Sequence, residues 1–426
     1  MQQVLFNSSH FNYFENYNKI FKCFPSDILD ERVKFRGRPS FPKDAMIKSL
    51  VYMALNGISS LSQLHFELLK NAQLSEVCGF DILKEIPTIE KFSSFLKDTN
   101  NNLLSKIRNH LVKELINYGH IKDDSLSIDN CPIISPVREN NLKTIVKERY
   151  NKNKLPKGDT DARLGIIANF HSGKKIQYYW GYKNHVVIDA DSELPIWEVT
   201  YPANVHETKV FIPIFTNIQK EFEFKINNVI GDSAFDTECI INFIVKELKA
   251  KPIIAHNPRN LKSSNNIIKK SYKVVCIAGL EMADRGSAFM KSQNKTYRIY
   301  ACPIHHYKKL RKKYICCPMN HPKFFSQKGC YYTERIDNEN KIRNSIDYDS
   351  ETFKKLYCKR TGSERLFSRL LNLCMQNISV RSLNSVKNKC TIAHITVLLV
   401  ASATVKLGYP DKIRFVKTFV HNFLIN

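Results

Sequence analysis

Three carboxylates in this 426-residue chain lie where they could do chemistry together. Asp129 ends the short apolar run Leu-Ser-Ile-Asp-Asn, Asp232 follows Asn-Val-Ile-Gly, and Glu364 closes Tyr357-Cys-Lys-Arg360-Thr-Gly-Ser-Glu. Hard divalent cations take oxygen ligands, and Mg²⁺ binds through a few carboxylates while keeping water and substrate phosphate. Two such ions about 3.5–4 Å apart stabilise the attacking and leaving oxygens of an in-line phosphoryl displacement. Gly231 before the second acid permits close backbone approach. Spacings of three, four and seven put Tyr357, Arg360, Glu364 and Leu371 near one helix face, and a guanidinium beside metal-bound carboxylates makes sense where it meets a phosphate. A lone Asp is more often a cap or turn residue, and Asp236 reads as a ligand or a helix N-cap. The order of the three acids is what makes them a candidate site.

That order rests on the elements around them. Near residue 121 the hydrophobic period changes from 3.6 to 2. Residues around Leu126 and Ile128 predict a short strand ending at Asp129 and Pro132. The basic stretch 138–161 reads as a mobile loop able to lie on phosphates. Residues 176–188 and 196–201 predict a hairpin, 207–221 a helix, 228–232 a buried strand with an acid at its end, 237–248 a helix and 252–255 a strand. An irregular Lys-rich insertion follows, and helix returns from Phe353. A mixed sheet with acids at two strand ends and a third on a later helix is the ribonuclease-H-like arrangement, an α/β fold that gathers distant carboxylates at one end of the sheet.

Residues 1–120 have helical periodicity. Ala45, Met46, Ser49, Leu50, Met53 and Ala54 form one stripe, Asn56-Gly57 ends it, Ser60 with Gln63 has the form of a capping box, and Pro87-Thr88 opens another helix. Short helices behind the basic turn Phe35-Arg36-Gly-Arg38-Pro-Ser40 have the look of a helix-turn-helix DNA-binding module. The expected organisation is therefore a helical DNA-binding domain over 1–120, a catalytic core over 121–260, a basic Cys- and His-bearing insertion over 261–350, and the core's last helices over 351–426.

Composition narrows the partners. With 43% hydrophobic and 25% charged residues, whole-chain disorder is excluded. Lys and Arg number 65 against 40 Asp and Glu, a net charge of +25, which points to a polyanion: nucleic acid first, a membrane surface second. Twelve cysteines without a basic, then apolar, leader are expected in a reducing cytoplasm. The apolar stretch 392–405 is shorter than the roughly 18 residues of a membrane span and reads as a buried core helix.

Taken in order, these blocks resemble the DDE transposases of bacterial insertion sequences, of the IS4/IS5-like and especially the IS1182-like groups. The resemblance is carried by Phe35-Arg-Gly-Arg-Pro-Ser and the helical run after it, Ser-Ile-Asp129-Asn, Gly181-Tyr-Lys183-Asn-His185, Pro202-Ala-Asn-Val-His206-Glu207-Thr, Gly231-Asp232-Ser-Ala-Phe-Asp236 and Tyr357-x-x-Arg360-x-x-x-Glu364. It implies Asp129, Asp232 and Glu364 as the catalytic acids holding Mg²⁺ or Mn²⁺. It implies phosphate contacts from Tyr357 and Arg360, supporting roles near the site for Lys183 and His206, and DNA contacts from Arg36 and Arg38. His206 reads equally as a satisfied core histidine. The implied chemistry is hydrolysis at a transposon end that frees a 3′-hydroxyl, followed by attack of that hydroxyl on target DNA. The implied partners are double-stranded terminal inverted repeats and target DNA, with a dimer on the paired ends and a bacterial, nucleoid-associated location. Two other readings stay open: a non-catalytic DNA-binding descendant of a transposase, and a metal-dependent nuclease without strand transfer. Where the family commonly places a Lys two turns beyond the Glu, this chain has Leu371, with Arg369, Lys387 and Lys389 as substitute cations.

Within the insertion, Cys302, His305, Cys316, Cys317, His321 and Cys330 are dense enough for a structural Zn²⁺ site. The alternative is a set of reduced cysteines in a basic segment whose Lys308, Lys309, Arg311, Lys312 and Lys313 meet DNA without a metal.

Overall fold

Punctuation in the sequence sets the first helices. Asn56 and Gly57, the latter at φ +64°, end the first long apolar stripe, and the Ser60 side chain accepts from Gln63 N at 3.2 Å to start the next helix. A computed structural model describes residues 8–29, 40–169, 175–257, 267–270, 273–325, 329–335, 342, 346–376 and 378–417. Arg36 and Arg38 lie outside the described residues.

In chain order, helices α1 (Ser8–Phe21), α2 (Lys43–Leu55), α3 (Leu61–Lys70), α4 (Ala72–Cys78), α5 (Ile89–Asp98) and α6 (Asn101–Asn117) precede strands β1 (Ser125–Ile134), β2 (Arg163–Asn169), β3 (Lys175–Asp189) and β4 (Pro195–Pro202). Then come α7 (Glu207–Phe222), β5 (Asn228–Gly231), α8 (Glu238–Lys246) and β6 (Lys251–Ile254). The insertion holds β7 (Ile267–Lys270), β8 (Lys273–Cys276), β9 (Ala283–Met290), β10 (Lys295–Ala301), α9 (Pro303–His306), α10 (Lys308–Lys313) and β11 (Tyr331–Arg335). The chain continues with α11 (Glu351–Cys358), α12 (Thr361–Asn372) and α13 (Leu383–Lys406).

The chain divides into two compact units, residues 1–225 with 361–426, and residues 226–360. In the first, β3 is the spine of the sheet: β1 pairs antiparallel along one edge, and β2 and β4 share the other. Pairing of β1 runs from Leu126↔Asp189 to Ile134↔Gly181, so Asp129 lies within the strand and not at its end as the sequence predicts. The long partner strand keeps the ladder going past Pro132. It does so only because residue 181 is glycine: a Cβ there would lie 2.0 Å from the Ile133 carbonyl oxygen.

Helix α13 is the core of this unit. It packs on α2, α5, α6 and β4, and the N-terminal helices belong to the same compact unit as the sheet. It spans 24 residues, longer than the apolar stretch 392–405, because polar residues in its first turns are satisfied in the interior. Asn388 Nδ2 donates to the carbonyls of Leu96 and Thr99, both at 2.8 Å, and Asn101 Nδ2 donates to Asn388 Oδ1 at 3.0 Å. By length and composition α13 would cross a membrane, but 94% of its most apolar window is buried inside the protein.

The stretch 138–161 is pinned where the sequence reads as a mobile loop. The Arg149 guanidinium donates to the carbonyls of Glu139 and Asn141, both at 2.7 Å, and Trp180 Nε1 donates to Arg149 O at 2.8 Å. Buried Asp159 accepts from Ser135 Oγ at 2.6 Å and Tyr182 Oη at 2.7 Å.

In the second unit β5 and β6 pair in parallel beside α8 and α11. The insertion contains regular structure that its Lys-rich sequence hides: a β7–β8 hairpin and an antiparallel meander in the order β11-β10-β9.

Candidate active site

Asp129 alternates with Ser127 and Cys131 on one face of β1, and each residue shares its face with its directly opposed partner on β3. Its side of the sheet receives α12: Ser127 Oγ and Ser363 Oγ lie 3.1 Å apart, both buried. The first turn of α12 approaches because it is built of small residues. A Cβ on Gly362 would sit 3.2 Å from Glu193 Cγ and 3.4 Å from Ile188 Cδ1. The next residue after the docked Ser363 is Glu364, which is exposed. The structure thus brings β1 with Asp129 and α12 with Glu364 together through a serine pair that the sequence reading did not single out. Asp129 itself is 9% exposed and accepts from Asn130 N at 2.8 Å.

A clamp fixes α12 from outside. Glu193, in the turn between β3 and β4 at φ +60°, accepts from Arg365 Nε at 2.8 Å and from Arg369 at 3.3 Å and forms an ion pair with Arg414 at 3.2 Å. Its carbonyl takes a further Arg369 N–H at 2.8 Å. Arg369 is therefore committed and does not stand in for the Lys missing at the exposed Leu371. Lys389 is also withdrawn: it is buried in α13 with its Nζ against Met53 Sδ at 3.4 Å, and burial lowers it to about 8. Lys387 is half-buried.

In the second unit, four buried residues of β5 lead to Asp232, whose Oδ1 caps a short turn by accepting from Ala234 N at 2.9 Å. Asp236 is not a helix N-cap. Thr237 is the N-cap of α8, and Asp236, 1% exposed, accepts from Asn257 N at 2.7 Å and faces His256 Nδ1 at 3.4 Å. Tyr357 stacks on Phe353 at 5.9 Å, and the Arg360 guanidinium lies 6.0 Å from the Tyr357 ring centroid. The helix face drawn through Tyr357, Arg360, Glu364 and Leu371 is broken. Helix α11 stops at Cys358, Lys359 and Arg360 form a turn, and α12 begins at Thr361.

Lys183 and His206 form a different cluster. Opposed to Pro132, Lys183 lies on the face of the sheet opposite that of Asp129, where its Nζ bonds Glu207 Oε1 at 2.6 Å with both side chains largely buried. Burial raises the Glu207 carboxyl, but the hydrogen bond and charge of Lys183 outweigh it and hold the group below its ordinary value. His206 is the N-cap of α7, accepting from Thr208 N at 3.3 Å, and is 62% exposed, so it is no core histidine. His185 is buried instead, its two ring nitrogens without hydrogen-bond partners among the described residues and its pKa lowered by burial to about 4.

Of the insertion's candidate ligands, Cys302, Cys317 and Cys330 are buried and Cys316 is exposed. His305 Nε2 pairs with the Phe324 carbonyl at 2.9 Å, and His321 Nδ1 accepts from Lys323 N at 3.2 Å. Among the described residues, no three His, Cys, Asp or Glu side chains are already gathered about a metal position.

Residues 154–399 match the family described as Transposase DDE domain, and residues 9–98 match the one described as Transposase domain (DUF772). Among solved structures the chain is similar to a piggyBac transposase synaptic complex with hairpin DNA, at 12% identity over 97% of this chain and 80% of that one, with a TM-score of 0.37. No curated protein matches the chain.

Proposed function

Because the chain belongs to the transposases with a DDE domain, we propose that it binds terminal inverted repeats of an insertion sequence and carries out metal-dependent phosphodiester cleavage and strand transfer, with Asp129, Asp232 and Glu364 as its catalytic acids. The single observation that carries the site is the docking of Ser363 on Ser127, which ties the helix of Glu364 to the strand of Asp129. The three carboxylates are the hard oxygen donors that Mg²⁺ or Mn²⁺ takes. Bound there, such ions supply charge stabilisation for both the attacking and the leaving oxygen. The chain's own residues do the rest: the Glu193 clamp holds α12 in place, Tyr357 and Arg360 meet phosphate, and no covalent enzyme intermediate is needed. Arg36, Arg38 and the N-terminal helices bind double-stranded DNA, and a dimer holds the paired ends. The setting is the bacterial cytoplasm at the nucleoid, without a membrane.

The test uses a terminal-repeat duplex in Mg²⁺. Asp129→Asn, Asp232→Asn and Glu364→Gln are each expected to slow cleavage by about a thousandfold or more while binding persists. Cleavage unchanged in any one of them removes that acid from the site. Joining of pre-cut ends to a second DNA separates a transposase from a nuclease without strand transfer. One observation favours a second reading, a DNA-binding descendant without catalysis: Leu371 replaces the customary Lys, while Arg369 and Lys389 are occupied elsewhere. Wild-type protein that binds ends but never cuts them would establish it.

A further inference from the structure

Half of the buried cluster that organises the insertion is cysteine. Val274, Met282, Ile304 and Phe324 surround Cys276, Cys302, Cys317 and Cys330, each no more than 9% exposed. Half-buried Ala278, Leu280, Tyr300, Tyr314 and Tyr332 pack against this cluster, still a small core for so long a segment, the situation in which small folds add a disulfide or a metal. The cysteines come from four separate places in the chain. Cys276 ends β8, Cys302 follows β10, Cys330 precedes β11 and Cys317 lies beyond α10. Because Ala301 pairs with Tyr331, Cys302 and Cys330 flank the same end of the β10–β11 ladder.

The thiols touch. Cys330 hydrogen bonds with both Cys276 and Cys302. The sulfurs of Cys276 and Cys302 are also each cradled by two backbone N–H groups, those of Ala278 and Leu280 for the first and of Ile304 and His305 for the second. The first turn forms around Gly279 at φ +73°, with Cys276 N donating to Leu280 O at 3.0 Å. Gly329 at φ +79° keeps the space beside Cys302 open, since a Cβ there would lie 2.8 Å from Cys302 Cβ and 2.9 Å from its Sγ.

We propose that Cys276, Cys302, Cys317 and Cys330 are the ligands of a structural Zn²⁺ that staples β8, β10 and β11 of the insertion. Four sulfurs from two turns and two further positions suit the tetrahedral, closed coordination of such a site. As each sulfur–zinc bond forms, its thiol proton leaves for solvent. The sequence reading is revised in two ways: Cys276, upstream of the Cys- and His-dense run, joins the set, and exposed Cys316 leaves it, as do His305 and His321, which lie outside the buried cluster.

The full chain, purified under reducing conditions, is expected to carry about one zinc per chain by elemental analysis. Its Co²⁺-exchanged form should show the visible and near-ultraviolet bands of tetrahedral sulfur coordination. Cys276→Ser is expected to lose its zinc in a chelator wash that the wild type and Cys316→Ser survive. Zinc-free wild type that gives no cobalt–thiolate bands would overturn the proposal, as would equal zinc retention by the two variants. A disulfide joining Cys330 to Cys276 or Cys302 in freshly isolated protein would also overturn it. If Cys276→Ser fails to fold, the wild-type cobalt spectrum decides alone. None of these readouts depends on DNA cleavage.

Discussion

Lys389 stands out among single residues as a cost carried inside the core. Burial lowers it to about 8, so below that pH the folded chain holds a charge that the unfolded chain holds more easily. Its penalty is full at neutral pH and fades as pH rises from about 8 toward 10.5. Lys389→Met, similar in shape, is expected to stabilise the protein by up to about 3 kcal/mol at pH 7, measured by urea unfolding, with the gain shrinking in that window. Equal stability of the two proteins at pH 7 would show that the ammonium is accommodated. Buried His185 and His394 act at the acid end. Both are lowered to about 4 by burial, so between 6.5 and 4 the unfolded chain binds more protons and stability falls with pH. The loss should reach at most about 3 kcal/mol per histidine, and His185→Leu should flatten part of the slope. A slope identical to wild type would mean that His185 does not contribute.

At the scale of elements, the helix that carries Glu364 is held by two features that local sequence does not announce. One is the Ser127–Ser363 contact, and the other is Glu193 with its three arginines. Arg365 and Arg414 are about half exposed and only Arg369 is largely buried with Glu193, so loss of the carboxylate leaves one largely buried guanidinium unpaired and costs less than a fully buried pair would. Glu193→Gln is expected to lower the melting temperature and to reduce the cleavage rate more than DNA affinity, since it acts by positioning α12. A cleavage rate at wild-type level, once the folded fraction is accounted for, would assign Glu193 to stability alone. The helices around Ala45, Ser60 and Thr88, the hairpin, α7 and the strand before Asp232 were legible because periodicity and caps are local. The break between α11 and α12 was not: spacing continues across Lys359 and Arg360, and only the backbone shows the turn there. Strand β2 was missed as well, because a seven-residue strand following a basic stretch has little pattern of its own.

At the scale of the molecule, the excess of 65 basic over 40 acidic residues has a thermodynamic consequence for the proposed DNA partner. Each phosphate neutralised releases counterions, so affinity should fall steeply with salt, by about a thousandfold or more between 50 and 200 mM for six to ten contacts. Filter binding of a terminal-repeat duplex across that range measures it, and a flat dependence would argue against phosphate-led binding. Some of the charge is already spent inside the protein. Arg108 is fully buried against Glu198, Arg149 braces a loop, and Arg365, Arg369 and Arg414 converge on Glu193.

The sequence by itself determined the family, the order of the three acids, the basic character of the chain and most of its helices, since each is written in residue identity and local spacing. Tertiary structure alone decided which groups remain available. Arg369 and Lys389 pass from candidate phosphate ligands to a clamp and a buried base, and Lys183 turns to the sheet face opposite Asp129. Cys276 joins cysteines far along the chain, and α13 becomes the core shared by the N-terminal helices and the sheet. The physical reason is common to all of these. A side chain's partner, its solvent and the face it shares are set by packing between segments distant in sequence, and no local period encodes that packing.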